Sequence, residues 1–470
     1  MSHPDTSHAS SERIAVDAVE PPGSTGLPRL GCMRSRLIGV AIGLALADSS
    51  IVTLALPDVL REFDVDVTSV AWVLTSFNLV LALVALPAAL IARRRPSAAF
   101  TAGTIVFALA SLVCGLAPSF EVLVGARGVQ AVGAALLVTA ALGLLSKTTE
   151  NGARAARVWV GAGILGAAIG PAAGGILTEL AGWESIFLVQ VPLAILPLAV
   201  LRGIHVRPQV TSAGRPQLNA NAALLLLSGG LVAALFLLVL LLVEGWRMSP
   251  AAAGLVVTTM PLAAVAAGRV APHLESLRVR VTSGIVLVAG GLAGLAFLPR
   301  AGWAWTLAPQ LLVGAGIGLA LGALTGHAVN RGDRIVHGGW TLAARHAGVV
   351  LGLLLLTPVL TAALDRNQAE AVRAGAAEVL DSRIPAIDKL RLAQDVLDEV
   401  RAAERKGELP DVTTAFDDRP DSDEYRALLS ALREQLQRAI TNAFSGSFLL
   451  AAALALGALV PATLIRGTST

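Results

Sequence analysis

The chain has 470 residues, 55% of them hydrophobic and only 15% charged, with a net charge of +3 and a mean hydropathy of +0.71. An ordinary soluble domain carries roughly 25% charged residues, so a soluble globular protein is excluded and an all-α, polytopic membrane protein is predicted. The basic residues gather in alternate loops without an aromatic-studded stripe, which excludes nucleic acid as a partner.

In chain order, residues 1–36 are polar, contain acids and lack a compact charged-then-apolar pattern. They read as a disordered cytoplasmic tail rather than a cleaved signal peptide. Apolar runs of about 20 residues, the length that crosses a hydrocarbon core, predict twelve spans. These fall near 37–57, 70–92, 97–117, 121–146, 155–178, 184–202, 219–243, 250–271, 281–299, 303–329, 339–363 and 444–465. Arg93, Arg94 and Arg95 follow the second span, and Lys147, Arg154 and Arg157 lie between the fourth and fifth. Arg202, Arg207 and Arg215 follow the sixth, Arg278 and Arg280 the eighth, and Arg331 and Arg334 the tenth. The opposite short loops hold Arg61, Arg247 and Arg300. The positive-inside rule therefore predicts a multi-pass protein of the cell membrane with both termini in the cytoplasm. Cys32 and Cys114 show no metal-binding spacing and are expected to stay unpaired.

A polar linker, 203–218, divides an N-terminal six-span half (37–202) from a C-terminal one (219–466). Two such halves suggest a transporter built from internal repeats. Residues 365–442, between the last two spans, hold 17 acids and 12 basic residues and are expected to face outside. Two amphipathic helices are predicted there: 386–406, with Ile387, Leu390, Leu397 and Val400 on one face, and 423–441. A solvated acidic cap fits this segment; so does a docking surface for an envelope protein.

The fifth span contains GILGAAIGPAAGGIL (163–177). Gly166, Gly170 and Gly174 recur every four residues, so they line one helix face and let another helix approach closely. Pro171 lacks an N–H and is expected to bend the helix. Close packing, or a homodimer seam, would also account for such a run.

Several stretches carry a family resemblance. GAAIGPAAGGIL resembles the antiporter motif of major facilitator superfamily exporters. ADSSIVTLALPDV (47–59), VAWVLTSFNLV (70–80), LVGARGVQAVGAAL (123–136) and GWESIFLVQVPLAI (182–195) resemble further motifs of its drug:proton antiporters. EGWRMSPAAAGL, LVGAGIGLALGALT and RHAGVVLG do so in the second half. The nearest branch usually has fourteen helices; the resemblance implies that its two central ones are missing here, leaving about twelve. The resemblance implies a major facilitator fold of two pseudo-symmetric six-helix halves. It also implies proton-coupled efflux of a small lipophilic or amphipathic substrate, with the proton gradient and no cofactor as driving force. Gly166, Gly170, Pro171, Gly174 and Gly175 would form the antiporter motif.

Asp48 and Arg127 fall within spans one and four, where an ionisable side chain costs roughly 2.5–3.5 kcal/mol on insertion scales. Either they face a wet gap, or they pair beside the central cavity, where the opposed pulls of burial and a neighbouring cation let a carboxylate take up and release a proton. The resemblance links matching residues to proton coupling. Trp72, Asn78, Gln190, His327, Arg345 and His346 are substrate-cavity candidates, although Arg345 and His346 fit a solvated cytoplasmic position equally well. Glu244 is expected to be solvated. After the second span, AALIARRRPS carries Ala92 where the superfamily normally has the aspartate that latches the two halves. A lipid or glycolipid exporter, or a non-transporting scaffold or sensor that uses 365–442, remain as alternatives. No Walker sequence or enzyme constellation is present, so no enzyme is predicted.

Overall fold

The computed structural model describes residues 27–149, 152–200, 214–274, 276–329, 333–382, 384–406, 413–417, 419–420 and 422–465. Residues 1–26 of the predicted tail and 203–213 of the predicted linker lie outside these.

The membrane helices are α1 (Leu27–Thr53), α2 (Val67–Arg94), α3 (Pro96–Gly115), α4 (Phe120–Thr148), α5 (Gly152–Ala181), α6 (Ser185–Ala199), α7 (Leu218–Leu240), α8 (Pro250–His273), α9 (Leu277–Ala296), α10 (Trp303–Val329) and α11 (Arg334–Asp381). They are followed by α12 (Ala386–Lys406) outside the apolar spans and α13 (Asp423–Gly457), whose later part is the last span. Among the described residues, eleven of these helices are long and apolar enough to cross a membrane. The sixth predicted span is the exception. At 1.5 Å per residue, α6 reaches only about 22 Å of a roughly 30 Å core. It holds Pro192 and Pro197, and its end tightens into a 3-10 turn over Leu196–Val200. Proline removes a backbone donor and crowds the preceding turn, which accounts for the interruption.

Helix starts are local in origin. The Ser119, Ser249, Ser276 and Ser422 hydroxyls accept the N–H of Val122, Ala252, Val279 and Tyr425, and Asp66 accepts that of Ser69 at 2.6 Å. Pro96 and Pro250 occupy first turns, where a missing N–H costs no hydrogen bond.

The packing order repeats between the halves. α1 packs on α5 as α7 packs on α11, α2 on α4 as α8 on α10, and α3 on α4 as α9 on α10. The halves meet through α2 against α11 and α5 against α8. Leu83, Leu109, Ile169, Leu262 and Leu456 stay exposed on the outer surface, where lipid replaces water as the neighbour.

Glycine sets the closest approaches. A Cβ at Gly166 would overlap the Gly43 carbonyl of α1, one at Gly170 the Ser50 hydroxyl, and one at Gly174 the Ile51 carbonyl. The equivalent seam in the second half sets Gly348 and Gly352 of α11 against the carbonyls of Leu225 and Gly229 on α7. Gly175 meets the Pro250 carbonyl, and Gly254 the Pro171 carbonyl, so the same run also joins the two halves. The helix continues through Pro171 to Ala181.

α11 is 48 residues long, about 70 Å at 1.5 Å per residue, and so continues well beyond a bilayer core. Its far end, α12 and the start of α13 enclose a small separate core of Val379, Ile384, Leu392, Phe416, Tyr425, Leu428 and Leu432. Of the apolar face predicted for α12, the first two positions face out, Leu397 is half-buried, and the side chain of Val400 lies outside those described. Ile387 and Leu390 are 60% and 61% exposed, while Leu392 is buried and Val396 partly so. The partners that select the face come from Tyr425 and Leu428, distant in the chain.

The seam yields a contrast between two glycines of α5. Alanine is the better helix former by roughly 1 kcal/mol, and nothing lies within 4 Å of a Cβ at Gly161. Gly161→Ala is expected to leave or raise the midpoint of thermal unfolding in detergent. Gly166→Ala is expected to lower it, by roughly 1–3 kcal/mol of overpacking. Equal effects at both positions would show that the seam does not depend on the close approach.

Candidate functional site: a buried charge pair beside a central cavity

Asp48 on α1 and Arg127 on α4 are both fully buried and face one another, with Arg127 Nη1 donating to Asp48 Oδ2 at 2.6 Å. The helix seam carries Asp48 inward, and Ser119 starts α4 so that Arg127 arrives two turns later at the same depth. Around the pair lies a polar shell. Gln190 Nε2 donates to Asp48 Oδ1 at 3.1 Å, and Gln130 Nε2 approaches the same oxygen at 3.4 Å. Arg127 Nη1 also donates to Gln130 Oε1 at 2.5 Å, and its Nε donates to the Val73 carbonyl at 3.1 Å. Gln130 further donates to the Ser111 hydroxyl at 2.8 Å and to Gln190 Oε1 at 3.1 Å. The guanidinium lies 4.3 Å from the Phe77 ring centroid and 5.6 Å from that of Phe187, within cation–π range. Arg127 Nη2 alone has no hydrogen-bond partner.

Two charges in a low-dielectric interior are tolerated only with good geometry and satisfied neighbours. Removing one member of such a pair typically costs about 3–5 kcal/mol, because the other remains charged and buried. Neutralising Asp48 would therefore leave Arg127 without its counter-charge and strain the whole shell. Gln130 was not singled out in the sequence; its position three residues after Arg127 puts it on the same helix face, a signal that was available.

Between the halves is a cavity of about 160 Å³. Its walls are mostly apolar, with Leu231, Met260, Ile317 and Leu321 among them. Ser49, Ser50, Asn78, Ser228, Thr325, Arg345 and His346 are the polar side chains among them. Of the candidates, Asn78, Arg345 and His346 line it; the solvated placement considered for the last two is corrected, since both face the cavity between the halves and His346 meets Asn78 of α2. Gln190 sits in the charge-pair shell. Trp72 is 45% exposed on the outside, and His327 lies in the last turn of α10, away from the lining. His346 Nδ1 lies 2.6 Å from Asn78 Oδ1, and Asn78 Nδ2 donates to the Leu74 carbonyl at 2.7 Å and approaches the Ser49 hydroxyl at 3.4 Å. A polar chain thus runs from the second half to the residue next to Asp48. Among the described residues no group of three His, Cys, Asp or Glu side chains is placed to hold a metal ion.

Ion pairs tie the halves at both ends of the cavity. On the arginine-rich face, Arg93 Nε lies 3.2 Å from Asp333 Oδ2, an ion pair without the alignment of a hydrogen bond. The other Asp333 oxygen caps α11, accepting the N–H of Ile335 at 3.1 Å and of Val336 at 3.3 Å. Ala92 is fully buried where the latch aspartate was expected; the acid at this junction comes from the opposite half. On the other face, Arg61 Nη1 meets Glu244 Oε1 across the halves at 3.2 Å, Glu244 Oε2 also pairs with Arg247 of its own half at 3.5 Å, and a hydrogen bond from Ala251 N–H to Glu179 Oε2 at 3.0 Å joins the halves as well. Glu244 was expected to be solvated. A π-helical turn over Leu241–Gly245 instead tucks it in to 6% exposure.

Comparison with known proteins agrees with this architecture. The sequence profile of the Major Facilitator Superfamily matches residues 38–357. The multidrug resistance protein Stp of Mycobacterium tuberculosis (strain ATCC 25618 / H37Rv) is 39% identical over 171 residues, 34% of this chain and 31% of that one. The drug efflux pump JefA of the same strain is 37% identical over 183 residues, 36% and 35% of the two chains. The cephamycin export protein CmcT of Amycolatopsis lactamdurans is 33% identical over 193 residues, 40% and 39% of the two. The matched part thus spans about a third of the length of these curated relatives. A bacterial homolog of the human lysosomal transporter Spinster, solved in an inward-facing and unoccupied conformation, superposes with a TM-score of 0.61. It covers 95% of this chain and 100% of its own at 15% identity, and so shares the fold. With two thirds of its length under one family profile and the repeated two-half helix packing, the chain belongs to the major facilitator superfamily, a family of membrane transporters rather than enzymes.

Proposed function

We propose that the protein is a proton-coupled antiporter that exports small lipophilic or amphipathic compounds across the cell membrane, with both termini in the cytoplasm. The observation that carries this reading is the fully buried Asp48–Arg127 pair set beside the cavity rather than in it. Proton uptake at Asp48 cancels the charge that holds Arg127, and the shell of Gln130 and Gln190 must rearrange. Through Ser49, Asn78 and His346 that change reaches the second half. The names of the relatives, a multidrug resistance protein, a drug efflux pump and a cephamycin export protein, support outward transport.

In this reading the halves 37–202 and 219–466 rock about the cavity, 203–218 joins them in the cytoplasm, and 365–442 stands outside. The proton gradient is the driving force, and no cofactor takes part. A second reading is favoured by the external core: with Ile387 and Leu390 exposed beside it, the 365–442 segment would dock an envelope protein.

In proteoliposomes loaded with a pH-sensitive dye and given a panel of neutral, anionic and cationic lipophiles, the native protein is expected to couple solute movement to proton flux. Asp48→Asn is expected to lower coupled flux by a factor of ten or more. Transport by that variant that stayed fully proton-dependent would sink the assignment of Asp48. The Arg93–Asp333 pair is expected to act as the latch of the arginine-rich face. Exposed ion pairs contribute at most about 1 kcal/mol, and this one is mostly buried. Spin labels at the ends of α2 and α11 should therefore report a shift of roughly tenfold, about 1.4 kcal/mol, toward the longer distance in Asp333→Asn. Arg93→Gln should give the same shift, and the double variant no more than either single one. Additive effects would show that the two residues act separately.

A further inference from the structure

Two arginines stand at the centre of the membrane region, Arg127 fully buried and Arg345 half-buried on the cavity wall. Arg127 has a carboxylate, a carbonyl, an amide oxygen and two aromatic faces around it. Arg345 lies deep in the protein and keeps part of its surface accessible, as a side chain facing a cavity does. No acid lines that cavity, and Arg345 Nε is buried without a hydrogen-bond partner. Asp48, the nearest intramembrane carboxylate along the polar chain, is itself fully buried and engaged by Arg127, Gln130 and Gln190. Across the cavity on α10, the Thr325 hydroxyl is a second buried polar group without a partner. The remaining wall is largely apolar.

We propose that this cavity binds amphiphiles carrying a single anionic group, a carboxylate or sulfonate, with Arg345 as its partner and the apolar wall holding the remainder. This rests on the reading of the cavity as the transported compound's site. A planar guanidinium offers a two-pronged set of donors that fits a carboxylate, and charge-assisted bonds of this kind are about twice as strong as neutral ones. The anion supplies the counter-charge that the lining lacks. A lipophilic cation meets the opposite situation: Arg345 repels it, and no lining carboxylate receives it. A dianion would carry its second charge into the apolar wall. The preferred solute is therefore a monoanion with one apolar body, and cationic dyes are poor ligands.

The test uses the full chain in nanodiscs of zwitterionic lipid, with empty nanodiscs as blank and equilibrium dialysis as readout. Three probes share one aromatic body: 1-naphthaleneacetate, 1-naphthaleneacetamide and 2-(1-naphthyl)ethylammonium. The acid is expected to bind at least about tenfold tighter than the amide and the ammonium, the scale of one charge-assisted pair. Arg345→Gln is expected to remove that advantage while leaving amide binding in place, which also reports an intact cavity. Arg345→Lys is expected to keep part of it, and serves if the glutamine variant does not fold. An acid that binds no tighter than the amide, or without saturation, would overturn the proposal, as would a preference that survives in Arg345→Gln. If neither variant folds, the three-probe ratio on the native chain decides. Anion-selective binding with no proton flux for any solute would sink the export reading alone. Proton-coupled export of neutral or cationic dyes without selective acid binding would sink this one alone.

Discussion

A hydrocarbon slab offers no water to complete a polar group's bonds, and each unsatisfied group there costs several kcal/mol. The arrangement around Asp48 follows from that constraint. One carboxylate oxygen takes the guanidinium, the other takes amide donors from α4 and α6, and aromatic faces cover the cation. The shell draws on five helices and holds α1, α2, α3, α4 and α6 together at one depth. A change in the charge of one carboxyl therefore bears on the contacts among these five helices. Arg345 meets the same constraint without an internal partner, which makes it the polar feature of the cavity that remains to be completed.

Lipid tails are as apolar as leucine, so helices in a bilayer are not driven together by exclusion from water. Close packing and small residues do that work. The α1–α5 and α7–α11 seams apply the same solution twice, with glycines against backbone carbonyls at equivalent places in the two halves. Each half is tightly built internally. Between the halves, two further glycine approaches (Gly175–Pro250 and Gly254–Pro171) are joined by ion pairs at either face, the Ala251 N–H to Glu179 hydrogen bond and the His346 Nδ1 contact with Asn78 Oδ1. Rigid units joined by few polar contacts suit the rocking motion by which repeat-built transporters expose a central site alternately to each side.

The junction of α2 and α11 carries an ion pair although the acid of the family pattern is absent from α2. Ala92 occupies the place of an aspartate, and on sequence alone the latch looked lost. Asp333, at the start of α11, supplies a carboxylate from the opposite side of the same junction and caps its own helix with the other oxygen. The electrostatic requirement is for opposite charges at this depth, whichever half contributes the acid.

What the sequence by itself determined was the set of properties that repeat along a single helix. Span length and the four-residue glycine repeat are read within one segment, and the helices carry them in all but the sixth span. The presence of Asp48 and Arg127 at membrane depth was legible for the same reason. Only the tertiary structure decided which side of each helix meets which neighbour. It turned Trp72 outward and His346 inward, brought Gln130 and Gln190 to one carboxylate, drew Glu244 under a π-helical turn, and left Ile387 and Leu390 exposed while Leu392 packed. Hydropathy is nearly uniform around these helices, so it cannot say how each is rotated. That rotation is set by contacts with residues hundreds of positions away, where sterics and charge pairing make the choice.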